Sequence, residues 1–198
     1  LALSTYQTVI QSDSSCADCH HLSGIIHLSQ ASTEAAVQSI TTAIQLKPTV
    51  NNFHNTLGEV YRQSGRSKQA IQHYQEAIRL SLLQSIPNAE HYNNLGLVLM
   101  ELGDSNAAIV QFENAIQIQS DHPAASHNLG LAYRNIGNTE KSIEIFLLLR
   151  NKESNDVDAT FHLAISLQMA GKLVEAKKIY IEILNLANAA QQQQQQQQ

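Results

Sequence analysis

Small and apolar positions along this chain fall into a pattern that returns at a fixed step. From Leu57-Gly58, an aromatic residue follows at Tyr61 and a glycine at Gly65, and Ala70, Tyr74 and Ala77 come next. The same order returns as Leu95, Gly96, Leu99, Gly103, Ala108, Phe112 and Ala115, and again as Leu129, Gly130, Tyr133, Gly137, Ser142 and Phe146. Within each half of the pattern the members lie mostly three or four residues apart, which gathers them on one face of an α-helix. Ser23-Gly24 and Leu163-Ala164 replace the leading pair in two more segments, and the steps between the second members of the pairs are 34, 38, 34 and 34 residues. A period of that length in a helical sequence predicts a stacked array of helix pairs, with no strand-like run to compete.

The register divides the chain into 17–50, 51–88, 89–122, 123–156 and 157–190. The first segment closes with Ala36, Ile40, Ala43, Leu46 and Pro48 in register, and the fifth supplies Leu167, Gly171, Ala176 and Tyr180. One period before Ala36 and Ile40 lie Ala2 and Tyr6, so 1–16 reads as the second helix of a truncated repeat, and Leu1 is not an initiator methionine. Gly65, Gly103, Gly137 and Gly171 mark the break between paired helices, with Ser67, Ser105 and Thr139 as expected caps of the helix that follows. The second segment carries four extra residues, close to one helical turn. Two readings stand: Leu80-Ser81-Leu82-Leu83 lengthens the second helix until Pro87 ends it, or the insertion is a loop. Gln191–Gln198, a homopolymer with no apolar face, is expected to be a disordered tail.

The residues of this pattern, at these spacings, resemble the tetratricopeptide repeat (TPR) family, over residues 1 to 190. The resemblance implies an all-α, right-handed solenoid of antiparallel helix pairs that acts as a protein–protein interaction scaffold and holds peptide segments in a concave groove lined by the first helices. The outward groove positions then hold Asn55, Glu59, Arg62 and Gln63; Asn93, Asn94, Leu97 and Met100; His127, Asn128, Leu131 and Arg134; and Phe161, His162, Ile165 and Gln168. Amides there are suited to holding a peptide backbone while Leu97, Leu131 and Ile165 give apolar contact; some of the apolar ones are expected to pack between adjacent first helices instead. The carboxylate clamp of chaperone-binding TPR domains is not matched, since its places hold His21 and Ile25, Asn55 and Glu59, or Asn93 and Leu97. A weaker resemblance is to the TPR arm of O-linked N-acetylglucosamine transferase-like proteins. Asn94 and Asn128 match its asparagine ladder, and Leu22, Thr56 and His162 depart from it. That resemblance implies an alternative function, the substrate-recruiting arm of a larger glycosyltransferase.

Composition narrows the partners. Only 15% of residues are charged, the formal net charge is −5 and the 12 basic residues are scattered, which argues against a nucleic-acid surface. No apolar run reaches the length of a membrane span, and an intracellular protein, cytoplasmic or nuclear, is the expectation. Uncapped ends, with Leu1, Tyr6 and Val9 at one and Leu184 and Leu186 at the other, predict self-association.

Cys16-Ala17-Asp18-Cys19-His20 matches C-x-x-C-H, the attachment signature of c-type haem. A haem at this register would displace a repeat-to-repeat contact, so the match is read as coincidence, and a disulfide or redox pair is set aside with it. Zinc held by Cys16, Cys19, His20 and His21, with His27, lacks a second closing pair. The other histidines, His54, His73, His91, His122, His127 and His162, fall in different repeats with no shared acid, and no nucleophile elbow or phosphate loop is present. The chain is therefore expected to need no cofactor or metal and to carry no catalytic machinery of its own.

Overall fold

The computed structural model describes residues 13–152 and 156–195; the expected half-repeat at the N-terminus, with Leu1, Tyr6 and Val9, lies outside them. Ten α-helices and no strand are found among the described residues: α1 Ala17–Ser29, α2 Thr33–Leu46, α3 Asn51–Gln63, α4 Ser67–Leu83, α5 Ala89–Glu101, α6 Ser105–Ile118, α7 Pro123–Asn135, α8 Thr139–Lys152, α9 Val157–Met169 and α10 Leu173–Gln195. The chain divides into two compact units, Leu1–Leu102 and Gly103–Gln198. The odd-numbered helices α1 to α9 are the first members of the pairs, and the even-numbered ones are the second.

In each unit a helix packs against the one before it and the one after it, and successive first helices also touch, α1 with α3, α3 with α5, and α7 with α9. Glycine makes the close pairing possible at two positions. A Cβ on Gly58 would sit 2.8 Å from the Tyr74 ring, and one on Gly130 would sit 2.8 Å from the Phe146 ring. The second helix thus presses an aromatic side chain into the space that a larger residue would occupy. Tyr74 and Phe146 are completely buried by this. Around Tyr74 the first unit's core gathers Ile40, Leu57, Val60, Leu95 and Val98; around Phe146 the second unit's core gathers Ile143, Ala159, Leu163 and Leu167.

Ala36, Ala70 and Ala108, which start the buried face of three second helices, have no exposed surface. The fourth repeat places Ser142 there instead. Its hydroxyl lies 2.8 Å from that of Ser166, which itself donates to the His162 carbonyl at 2.9 Å, so Ser142 is the donor of the pair and both buried hydroxyls are satisfied.

Helix ends depart from expectation in three ways. The caps stand one residue earlier than Ser105 and Thr139: Asp104 Oδ1 accepts from the Ala107 N–H at 3.0 Å and Asn138 Oδ1 from the Lys141 N–H at 3.2 Å. An acidic or amide oxygen immediately before the helix reaches the N–H three residues on, which leaves the serine and threonine as first helical residues. At the third break Ser67 likewise opens α4, behind Arg66, which makes no side-chain cap. Helix α4 has 17 residues against 14 in α2, α6 and α8, and it stops before Pro87 is reached. Ser85 adopts φ 57°, a left-handed turn that lets the Ile86 N–H reach the Ser81 carbonyl at 2.9 Å. Finally, α10 continues to Gln195, so the first glutamines of the expected disordered tail extend a helix, as glutamine's good helix propensity permits.

Candidate functional site

The positions expected to line a groove lie on the first helices, and in the first unit most of them are tied to one another. Asn94 donates from Nδ2 to Asn55 Oδ1 at 3.2 Å across the α3–α5 seam. Asn94 is 8% exposed and Asn93 3%, so these two amides are buried, contrary to the expectation that they face a partner. The reason is local: first helices approach closely enough that amides on the seam find each other, and a buried amide without such a partner would be costly.

One turn along, Glu59 accepts from four donors. Arg62 meets it with Nε at 3.0 Å and Nη2 at 2.7 Å, Gln63 Nε2 donates at 2.6 Å and the Tyr74 hydroxyl at 2.9 Å. Arg62 Nη1 also donates to Glu101 on α5. Burial alone would raise the Glu59 carboxyl; the hydrogen bonds from Arg62, Gln63 and Tyr74 outweigh it and hold the group below the usual carboxylate range. Glu59 hydrogen-bonds Arg62 and so keeps its guanidinium charged, and burial beside the same carboxylate pushes the Tyr74 phenol up.

A second network was invisible as such in the sequence. His91 on α5, 1% exposed, places Nε2 3.1 Å from Asn51 Oδ1; Asn51 Nδ2 donates to Gln84 Oε1 at 2.9 Å, and Gln84 Nε2 donates to the Thr49 carbonyl at 2.7 Å. Each amide is oriented by the next, so His91 carries its proton on Nε2, and Nδ1 is buried without a partner. Burial pushes this imidazole down to about 4. Five residues further along α3, the Thr56 hydroxyl donates to the Asn52 carbonyl at 2.9 Å, so His21 Nε2 donates to Thr56 at 2.8 Å. His54 and His73 meet Nδ1 to Nδ1 at 3.3 Å, one donating and one accepting, and burial lowers both. Every one of these histidines is held as a neutral hydrogen-bonding group.

The second unit is built differently at the same positions. Leu131 on α7 and Ile165 on α9 are half-buried, and Phe161 is 44% exposed. His162 stacks on Phe146 with ring centroids 5.4 Å apart and meets His127 edge-on at 4.9 Å. Arg134 Nη1 lies 3.1 Å from His162 Nδ1, and because a guanidinium only donates, His162 accepts there and keeps its proton on Nε2. Burial and the neighbouring Arg134 and His127 lower His162. Asn128 is half-buried on the same helix, as Leu97 is on α5. At the far end of α7 from Arg134, an apolar cavity of about 370 Å³ opens between Ile116, Leu129, Ile145, Leu148 and Leu149, with Lys152 and Asp121 paired on its rim.

Cys16 and Cys19 form a disulfide, which corrects the expectation that set a disulfide aside. Cys16 is the N-cap of α1 and Cys19 stands in its first turn, which brings their Cα atoms to 5.3 Å, within bridging distance. His20 turns to the Ser14 carbonyl at 3.2 Å. Among the described residues no three His, Cys, Asp or Glu side chains converge as a metal site, and no helix is long and apolar enough to cross a membrane.

Residues 52–81 match the Tetratricopeptide repeat family and residues 96–137 match a TPR repeat family. Over 125 residues the chain is 25% identical to the human Protein O-mannosyl-transferase TMTC1, covering 61% of this chain; it spans only 14% of that protein's length. Among solved structures it is similar to the MamA fragment from Desulfovibrio magneticus RS-1, with a TM-score of 0.78, 16% identity and coverage of 87% of this chain and 96% of that one. YrrB, a TPR protein with an unusual peptide-binding site, gives a TM-score of 0.72 at 17% identity, with 91% of both chains covered. Pseudomonas aeruginosa pilF gives 0.74 at 22% identity, covering 85% of this chain and 75% of its own. With its repeat period, its helix pairing and two family matches in agreement, the chain contains tetratricopeptide repeats.

Proposed function

We propose that this protein-interaction scaffold binds an extended peptide segment on the first-helix face of its second unit, across α7 and α9. The observation that carries the reading is the change of character between units at equivalent positions. In the first unit the polar groups at these positions are largely consumed by Asn55–Asn94 and Glu59–Arg62–Glu101. In the second, half-buried Leu131 and Ile165 and exposed Phe161 stand beside a guanidinium with donors to spare. Apolar area with a few oriented polar groups is what an extended segment needs from its receptor. Panning a random peptide library against the full chain should enrich binders that are lost on Phe161→Ala with Ile165→Ala, while helicity stays unchanged. Failure to enrich any peptide, or enrichment indifferent to those changes, would sink this reading.

A second reading is favoured by the similarity to TMTC1: the repeats form the recruiting arm of a larger sugar-transferring enzyme. The flanking reading frame decides it. A contiguous glycosyltransferase domain would support the arm, and repeats followed by a stop codon would remove it.

A further inference from the structure

Arg62 and Arg134 occupy the same place in two repeats, 11 residues after Asn51 and Pro123, where the first helices α3 and α7 begin. Their surroundings differ by two substitutions. Three residues before Arg62 is Glu59; three before Arg134 is Leu131. On the next first helix, the residue that gives Arg62 its second carboxylate is Glu101, the last residue of α5; the last residue of α9 is Met169. Arg62 is consequently held between two carboxylates, and Arg134, similarly half-buried, has neutral His162 as its one hydrogen-bond partner among the described residues. A guanidinium carries five N–H donors, and a partly desolvated one without a counter-charge is an energetic deficit that an incoming anion repairs. Its position is fixed for that purpose: His162 cannot swing away, being stacked on Phe146 and braced by His127.

We infer that Arg134 is the anchor for a side-chain carboxylate of the bound segment, taking the place that Glu59 and Glu101 fill for Arg62. The inference rests on the peptide-binding reading above and names the chemistry of its partner. A carboxylate is chosen because it is the anion that an unmodified peptide supplies from its own side chains, as Glu59 and Glu101 do for Arg62. The planar carboxylate also matches the fork of donors that the His162 contact leaves unused. This anchor is distinct from the chaperone-type clamp, whose places here hold His21, Ile25, Asn55, Glu59, Asn93 and Leu97.

The test uses peptides enriched on the full chain, each remade with glutamate, glutamine or phosphoserine at its acidic position, and titrated against wild type, Arg134→Met and Met169→Glu. Met169 is 56% exposed, so the second variant keeps the fold and supplies Arg134 with an internal carboxylate. Glutamate-to-glutamine exchange should weaken binding to wild type roughly tenfold to a hundredfold, the worth of a charge-assisted contact, and change little on either variant. Equal binding of the glutamate and glutamine peptides to wild type, or a glutamate preference that survives in both variants, overturns the anchor while the peptide-binding reading stands. Tighter binding of phosphoserine than glutamate overturns the carboxylate assignment. Absence of any binder removes the reading itself.

Discussion

The first-helix face of the first unit and that of the second share a backbone plan and differ in what their side chains do with it. In the first, polar residues on α1, α3 and α5 reach across to one another: His21 to Thr56, Asn94 to Asn55, His91 to Asn51, Arg62 to Glu101. In the second, α7 and α9 exchange a single cross-helix contact of this kind among the pairs described, Arg134 to His162, and surround it with Leu131, Ile165 and Phe161. The same repeat thus pairs its first-helix polar groups with one another or leaves them less paired, according to whether complementary groups occur about one period apart. On the peptide-binding reading proposed above, the less paired face is the one that a partner would use.

Acid should separate them most. His91 titrates near 6.5 in the unfolded chain and at about 4 in the folded one, so folding favours its neutral form. Its contribution is whole above pH 6.5 and drains away as pH falls toward 4, to a ceiling of about 3 kcal/mol. His54, His73 and His21 are lowered by burial in the same unit and push in the same direction. Hydrogen exchange followed by mass spectrometry at pH 5 against pH 7.5, corrected for the intrinsic rate, should show protection lost first in 51–101; earlier loss in 123–169 would contradict the contrast.

Arg62→Met should cost about 2 kcal/mol by urea denaturation, because it strands the half-buried Glu59 carboxylate. Gly58→Ala and Gly130→Ala serve as the matched control: each drives a methyl against an aromatic ring, and each should cost about 1–2 kcal/mol after the gain in helix propensity, alike in both units. The smallest effect belongs to Arg134→Met, which should stay within about 0.5 kcal/mol of wild type since it breaks no ion pair. Equal losses for the two arginine variants would mean that Arg134 is structural and the second face is closed.

The fold was legible because it is written in short-range spacing. First helices begin at 17, 51, 89, 123 and 157, where the periodic register starts each segment. The site was less so, for a physical reason. Whether Asn94 faces a partner or is buried depends on Asn55, 39 residues away, and on how closely two helices approach. Positional analogy names the face but not its pairing, so Asn93 and Asn94 were expected outward and are buried. His91 offered a signal, an imidazole on a first helix with an amide at Asn51 and another at Gln84, that could be assembled only once the seam was known. The Cys16–Cys19 bridge was set aside along with the haem reading, although its spacing at a helix start is what brings the sulfurs together.

Within each unit the backbones of successive first helices touch, and among the described residues those of successive second helices do not. Side chains reach over that wider gap as ion pairs, Arg66 to Glu34 at 2.7 Å in the first unit and half-buried Arg150 to Glu182 at 2.8 Å in the second. Mechanically, each unit is a hinge with a stiff inner edge and an outer edge strapped by charge. Flexing a unit changes the outer spacing far more than the inner one, and the straps that resist it weaken as salt rises, because the Debye length falls from about 10 Å at 0.1 M to about 3 Å at 1 M. The compliance of each unit is therefore expected to rise with the ionic strength around it.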